Sequence, residues 1–335
     1  MRGFFPLAVA LLLACAAESH AFTIYVSNER SGDLSVIDGE TNAVTATIPA
    51  GKRPRGIHPS RDGRFVYVVL SGSPRMAPGV ETERAPADKS ADALIKIDVA
   101  LLKVVERWHV GSDPEQFALS EDGKFAFIAN EDDASASIID LSSGQERGKV
   151  KISAEPEGVG VNPGNGDVYV TCEEKDEVFV IAPNEQKVKT KIAVGARPRS
   201  VAFSPDGARA YVSCENAGQV AVIDTAAGKI ISTIQLPEGS LPMGTVTSPD
   251  GRELYVATGR GNKVAVIDTT TNEIRETIPV GNRAWGVALS PDGARLYTAN
   301  GASNDVSVID VKARKEITRI KVGDGPWGLA VVPTR

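Results

Sequence analysis

Apolar and polar residues alternate in short bursts along the chain, and the bursts recur. "AYVSC" at 210–214 and "QVAVID" at 219–224 show the pattern, rich in β-branched and aromatic residues and bordered by turns of Gly, Pro, Asp or Asn. A period of two predicts strands, and no stretch keeps a helical period long enough to form a useful helix. The strand ending "VID" closes at Asp38, Asp224, Asp268 and Asp310, with "IID" at Asp140, "KID" at Asp98 and "VIA" at Ala182. Successive spacings are 60, 42, 42, 42, 44 and 42 residues, so seven units of about 42 residues fill the chain and one carries 18 extra. Such a period is the mark of a repeat architecture.

One unit, Pro198 to Leu236, resolves into four strands. Ser200–Phe203 is the first, and "SPDG" follows, where Pro and Asp set a tight turn and Gly accepts positive φ. Ala210–Ser213, "QVAVID" and "KIISTIQL" are the other three, and the Asp after the third can cap its turn. Four antiparallel strands per unit predict an all-β, seven-bladed β-propeller. The chain begins on a second strand, "FTIYVSN", and ends on a first strand, "GLAVVP". The C-terminal strand is therefore expected to pair with the N-terminal blade, residues 22–50, and close the ring.

The first 21 residues change the picture only by removal. Arg2, an apolar run from Phe4 to Ala17 and Ser19-His20-Ala21 form a secretory signal with a small-x-small cleavage site. Residues 1–21 are expected to leave, and 22–335 to form one propeller in the periplasm. A lipoprotein signal acylated at Cys15 is the alternative. No other segment is apolar for the ~20 residues that a membrane span needs. Net charge is −6 with no basic run, which excludes nucleic-acid binding by phosphate neutralisation. Cys172 and Cys214 lie one repeat apart, at equivalent places on neighbouring blades. Such points are ~9 Å apart, beyond disulfide reach, so both thiols are expected to be buried and free.

The units resemble the YVTN repeats of propeller proteins, through "IYVSNE", "VYVTCE", "AYVSCE" and "LYVATG" followed by "VAVID". The insert at 71–98 resembles that of PQQ-dependent catabolism-associated β-propeller proteins. More distant likenesses are to the haem d1 propeller of nitrite reductases and the β-chain of quinoprotein amine dehydrogenases. This resemblance implies a periplasmic role in PQQ-dependent alcohol oxidation; the rigid ring with its recurrent edges, and the lack of a preorganised nucleophile, make a non-catalytic binding scaffold the expectation. Its partner would be a quinoprotein dehydrogenase or its cytochrome, and the chain itself is expected as a monomer. The insert loop, 71–93, would be the contact surface, through Arg75, Met76, Glu81 and Arg84.

Candidate chemistry concentrates in a hexapeptide that turns the chain into each first strand: "GKRPRG", "GSDPEQ", "AEPEG", "GARPRS", "GSLPMG", "GNRAWG" and "GDGPWG". In a propeller this turn lies at the mouth of the central channel. The residue after its Pro or Ala reads Arg55, Glu115, Glu157, Arg199, Met243, Trp285 and Trp327 around the ring. The residue before adds Arg53, Arg197 and Arg283, with Asp113 and Glu155 between them. Two readings stay open. The side chains plug the channel by pairing, Arg55 with Glu115 and Glu157 with Arg199, or they bind a flat anionic small molecule by stacking and guanidinium contacts, PQQ being one candidate. A third reading is a metal-assisted lactonase using Glu115, Glu157 and Asp113. Second-strand tips carry Glu29, Glu131, Glu173 and Glu215, expected as a solvated acidic rim without a calcium-loop motif. His58 is expected to be a packed histidine. No nucleophile motif, metal set or cofactor fingerprint appears, so no catalytic residue, metal or cofactor is assigned.

Overall fold

A computed structural model describes residues 21–74 and 86–334, and these form seven four-stranded antiparallel sheets around a central channel. Six blades are consecutive quartets of strands. Their innermost strands are β4 (Pro54–Pro59), β8 (Pro114–Leu119), β12 (Pro156–Val161), β16 (Pro198–Phe203), β20 (Thr245–Thr247) and β24 (Ala284–Leu289). The seventh blade joins the two ends of the chain. Strand β1 (Phe22–Asn28) pairs with β28 (Pro326–Pro333), setting Ile24 opposite Val331 and Val26 opposite Leu329. The ring is closed by its own tail, as the strand order implied.

Local chemistry explains the regularity. At "SPDG" the Gly207 amide donates to the Ser204 carbonyl at 2.8 Å with φ +71°, and the Asp206 carboxylate accepts from the Ala208 amide at 3.0 Å. The Asp that ends six of the seven third strands caps the next turn, as where Asp38 Oδ1 accepts from the Thr41 amide at 2.8 Å. Apolar residues of facing blades share each core layer. Tyr169, Val178 and Val180 of one blade pack on Val201, Phe203 and Val212 of the next. Stability is thus a sum over blade–blade interfaces, and the closing strand completes the last of them. Cys172 and Cys214 are buried and unbridged.

Glycines at the end of the hexapeptide let neighbouring blades meet around the channel. A Cβ on Gly244 would lie 2.5 Å from the Trp285 carbonyl oxygen, and one on Gly286 would lie 2.6 Å from that of Trp327. Gly158 meets the Arg199 carbonyl in the same way, and Gly328 that of Arg55. No side chain fits between these strands.

The insert leaves β5 (Phe65–Leu70) and returns at β6 (Ala93–Asp98) beside the channel mouth. Its base is pinned where Asp92 Oδ1 accepts from the Gly72 amide at 2.7 Å. Arg75, Met76, Glu81 and Arg84 lie outside the described residues. Among the described residues, no helix is long and apolar enough to cross a membrane.

Candidate active site

Six of the seven turns into an innermost strand bend sharply before the Pro or Ala. Arg53, Asp113, Glu155, Arg197 and Arg283 adopt φ between 41° and 59° there, and Gly325 adopts 67°. Left-handed backbone costs a residue with a side chain of order 1 kcal/mol, and glycine escapes that cost. Five blades nevertheless carry a charged residue at this strained position, a pattern that accompanies functional sites.

The residues after the turn lie deeper. Arg55 and Arg199 are 7% and 8% exposed, and each guanidinium is locked between carboxylates and an indole. Arg55 pairs with Glu115, lies 3.7 Å from Glu29, and stands 5.5 Å above the Trp327 ring. Arg199 pairs with Glu173 and with Glu157 at 3.2 Å, and stands 5.5 Å above Trp285. Higher up, Arg53 reaches Glu29 at 3.1 Å and Asp113 at 3.7 Å, while Arg197 reaches Glu173 at 2.7 Å. Arg283 lies over the other side of Trp285 at 4.9 Å, and the two indoles are tilted together with centroids 5.6 Å apart. Breaking one buried pair of this kind leaves an uncompensated charge, at about 3–5 kcal/mol.

These pairs correct the expectation of a solvated rim. Glu29, Glu173 and Glu215 are drawn onto the arginines. Glu131 is different. Its side chain is half-buried and accepts no hydrogen bond among the described residues. One of its oxygens lies within 4.8 Å of carboxylate oxygens of Asp113 and Glu115. Burial, and then repulsion from Glu157 and Asp113, push its pKa up to about 7. Glu115 is 0% exposed, and Asp113 is held by the Ser71 hydroxyl.

The carboxylates that converge are therefore not the Glu115, Glu157 and Asp113 set considered for a metal, because Glu157 turns to Arg199 and Glu131 takes its place. Guanidiniums already neutralise two of the three, Arg55 on Glu115 and Arg53 on Asp113. What remains is a glutamic acid poised to exchange a proton near neutrality, next to fixed positive charge.

A cavity of about 530 Å³ opens over this cluster. Arg53, Arg55, Glu115, Glu157, Arg197, Arg199, Arg283 and Trp285 line it, with Pro74 and Pro86 from the base of the insert. Met243 and Trp327 lie lower, in a small chamber at the neck of the channel. Arg260 also lines the mouth and makes no ion pair among the described residues. No repeat position marks it, because it sits on a second-to-third-strand loop outside the hexapeptide. His58, half-buried, packs edge-on against Phe117 at 4.8 Å, and desolvation pulls its pKa down to about 4, so it is a neutral packed histidine.

A family model described as "Lactonase, 7-bladed beta-propeller" matches residues 153–322. The chain belongs to that lactonase family. No curated protein matches it. Among solved structures it superposes on the periplasmic gluconolactonase of Pseudomonas aeruginosa, with TM-score 0.75 and 21% identity over 93% of this chain and 99% of that one. A candidate 6-phosphogluconolactonase of Bacteroides uniformis gives TM-score 0.74 and 20% identity over 94% and 100%. Hydrazine synthase of Kuenenia stuttgartiensis gives 0.71 and 21% over 84% and 90%. At such identities these likenesses concern the fold. The family match, with neighbours that carry gluconolactonase names, overturns the expectation of a non-catalytic scaffold for PQQ-dependent alcohol oxidation. That expectation leaned on the insert, whose central residues lie outside the described ones. The lactonase-family propeller instead keeps its unpaired acid at the channel mouth.

Proposed function

We propose that this propeller hydrolyses lactones at the mouth of its channel. The observation that carries the reading is Glu131, a carboxyl with pKa about 7 beside Asp113 and Glu115 in a 530 Å³ cavity ringed by arginines. Lactone opening needs a base to take a proton from water, positive charge for the carbonyl oxygen as it becomes an oxyanion, and an acid for the departing ring oxygen. Ionised Glu131 removes the water proton as the oxygen attacks the carbonyl carbon. Arg55, fixed by Glu115 and Trp327, and Arg199, fixed by Glu157 and Trp285, provide the charge without reorganising. The bond from the acyl carbon to the ring oxygen then breaks, and protonated Glu131 returns its proton to that oxygen. The product is a hydroxy acid, and no covalent intermediate or redox partner is needed. In the same reading the chain is exported, loses residues 1–21 and works in the periplasm on YVTN-type repeats.

Base uptake in a pH-stat, on a panel of γ- and δ-lactones, tests this. Turnover above the spontaneous rate is expected for at least one ring size. Rates equal to the spontaneous ones throughout would remove the reading.

A further inference from the structure

At the end of the ring opposite the mouth, each third strand turns into its outer fourth strand through four residues. These read "GETN" at 39–42, "LSSG" at 141–144, "PNEQ" at 183–186, "TAAG" at 225–228, "TTTN" at 269–272 and "VKAR" at 311–314. The insert-bearing blade has "VALL" at 99–102 instead. The fourth residue is left-handed in all seven turns, and Asn or Gly fills it in four. Leu102 takes φ 51° there, at a conformational cost that glycine escapes. Burial does not offset that cost, since Leu101 is 60% exposed and Leu102 37%. Val104 and Val105 follow, so four of the eight exposed large hydrophobics among the described residues fall within five consecutive positions. An apolar cluster held out on a strained turn marks a contact surface.

The same end of the ring carries an open groove one blade away. At the residue opposite the Asp that closes a third strand, Arg209 and Arg295 reach to the next blade. They donate to the Thr269 carbonyl at 2.6 Å and the Gly39 carbonyl at 2.7 Å. In the blade after the insert that position is Phe125, opposite Asp140, and a phenyl cannot make the bond. A groove of about 720 Å³ opens there toward the following blade, with Phe125, Phe127, Ile138 and Val161 in its lining. Five carboxylates also line it, Glu121, Asp122, Asp140, Asp167 and Glu185, against two cations, Arg147 and Lys189.

We propose that the leucine turn of one chain docks in this groove on a second copy, forming a two-fold dimer through the face opposite the mouth. A knob and a socket side by side on one face are what such a contact requires, because the two-fold axis repeats it in both directions. The leucines match the apolar lining. Lys103, exposed beside them and in no ion pair among the described residues, meets the acidic excess. The dimer departs from the monomer expected of the sequence. It leaves both channel mouths free, so it stands apart from the lactonase reading.

Sedimentation velocity on the purified protein from about 1 to 100 μM tests this. The mass is expected to rise with concentration from one chain toward two. Leu101→Asp sets a negative charge against an acidic groove and should weaken the dimer at least about tenfold. Phe125→Arg restores the residue type of Arg209 and Arg295; its guanidinium should reach the Pro183 carbonyl, fill the groove and weaken the dimer as much. Mixed together, the two variants should associate more tightly than either does alone, because a mixed pair keeps one intact turn-in-groove contact. Leu101 is exposed, so its variant keeps the test open should Phe125→Arg fail to fold. Native protein that stays monomeric throughout, variants that dimerise as it does, or a mixture no tighter than its components overturns the proposal. Monomeric protein that co-sediments with phosphatidylglycerol vesicles overturns it as well, and assigns the leucines to a lipid surface.

Discussion

Replacing Glu131 by Gln should make the protein more stable at pH 8 and inactive at the same time. The native fold holds this carboxyl near pKa 7 instead of the usual 4.5, because it is half-buried and faces Glu157 and Asp113. At 1.36 kcal/mol per pKa unit, that difference is worth roughly 3 kcal/mol. The native state binds the proton more tightly than the unfolded chain, so stability is highest below pH 4.5 and falls as pH rises through 7. The deficit is under about 1 kcal/mol at pH 5 and approaches roughly 3 kcal/mol at pH 8. Gln has no charge to desolvate or repel and escapes the pH-dependent part. Urea denaturation of both proteins at pH 5 and pH 8 reads the difference directly. The variant should gain roughly 2–3 kcal/mol on the native protein between the two pH values. Equal shifts at both pH values, or a variant less stable at pH 8 than at pH 5 relative to the native protein, would refute the placement of an uncompensated carboxyl here.

Three further outcomes follow from the same geometry. The maximal rate of lactone opening should rise with pH and level off above about 7 as Glu131 ionises, and a rate that falls across this range would exclude it as the base. Deleting residues 326–335 removes β28 and leaves β1 without its inner neighbour, so thermal unfolding monitored by circular dichroism should lose its single cooperative transition. Gly286→Ala forces a Cβ to within 2.6 Å of the Trp327 carbonyl. It should cost about 1–3 kcal/mol of stability, measured by denaturation, and lower activity by shifting the indole pair.

The fold was legible because repetition multiplies weak signals. One such strand could belong to many folds; seven of them, 42 or 44 residues apart except across the insert, with a first strand at the C-terminus, leave one closed arrangement. The mouth was legible in part, because variation inside a conserved frame marks positions released from structural duty. Arg55, Glu115, Glu157, Arg199 and Trp285 were readable in this way. What the chain could not reveal is how a mouth divides its charges among partners. Glu29, Glu131, Glu173 and Glu215 sit at equivalent second-strand tips, yet three meet arginines and Glu131 faces other carboxylates. That difference depends on which residues neighbouring blades bring across the channel.

The most direct measurement is the lactone-dependent uptake of base by the native protein and by Glu131→Gln, side by side, after subtraction of the spontaneous rate. Clear turnover by the native protein is expected, with a drop of about a hundredfold or more in the variant, in keeping with loss of a general base. A variant that opens lactones as fast as the native protein would contradict that role.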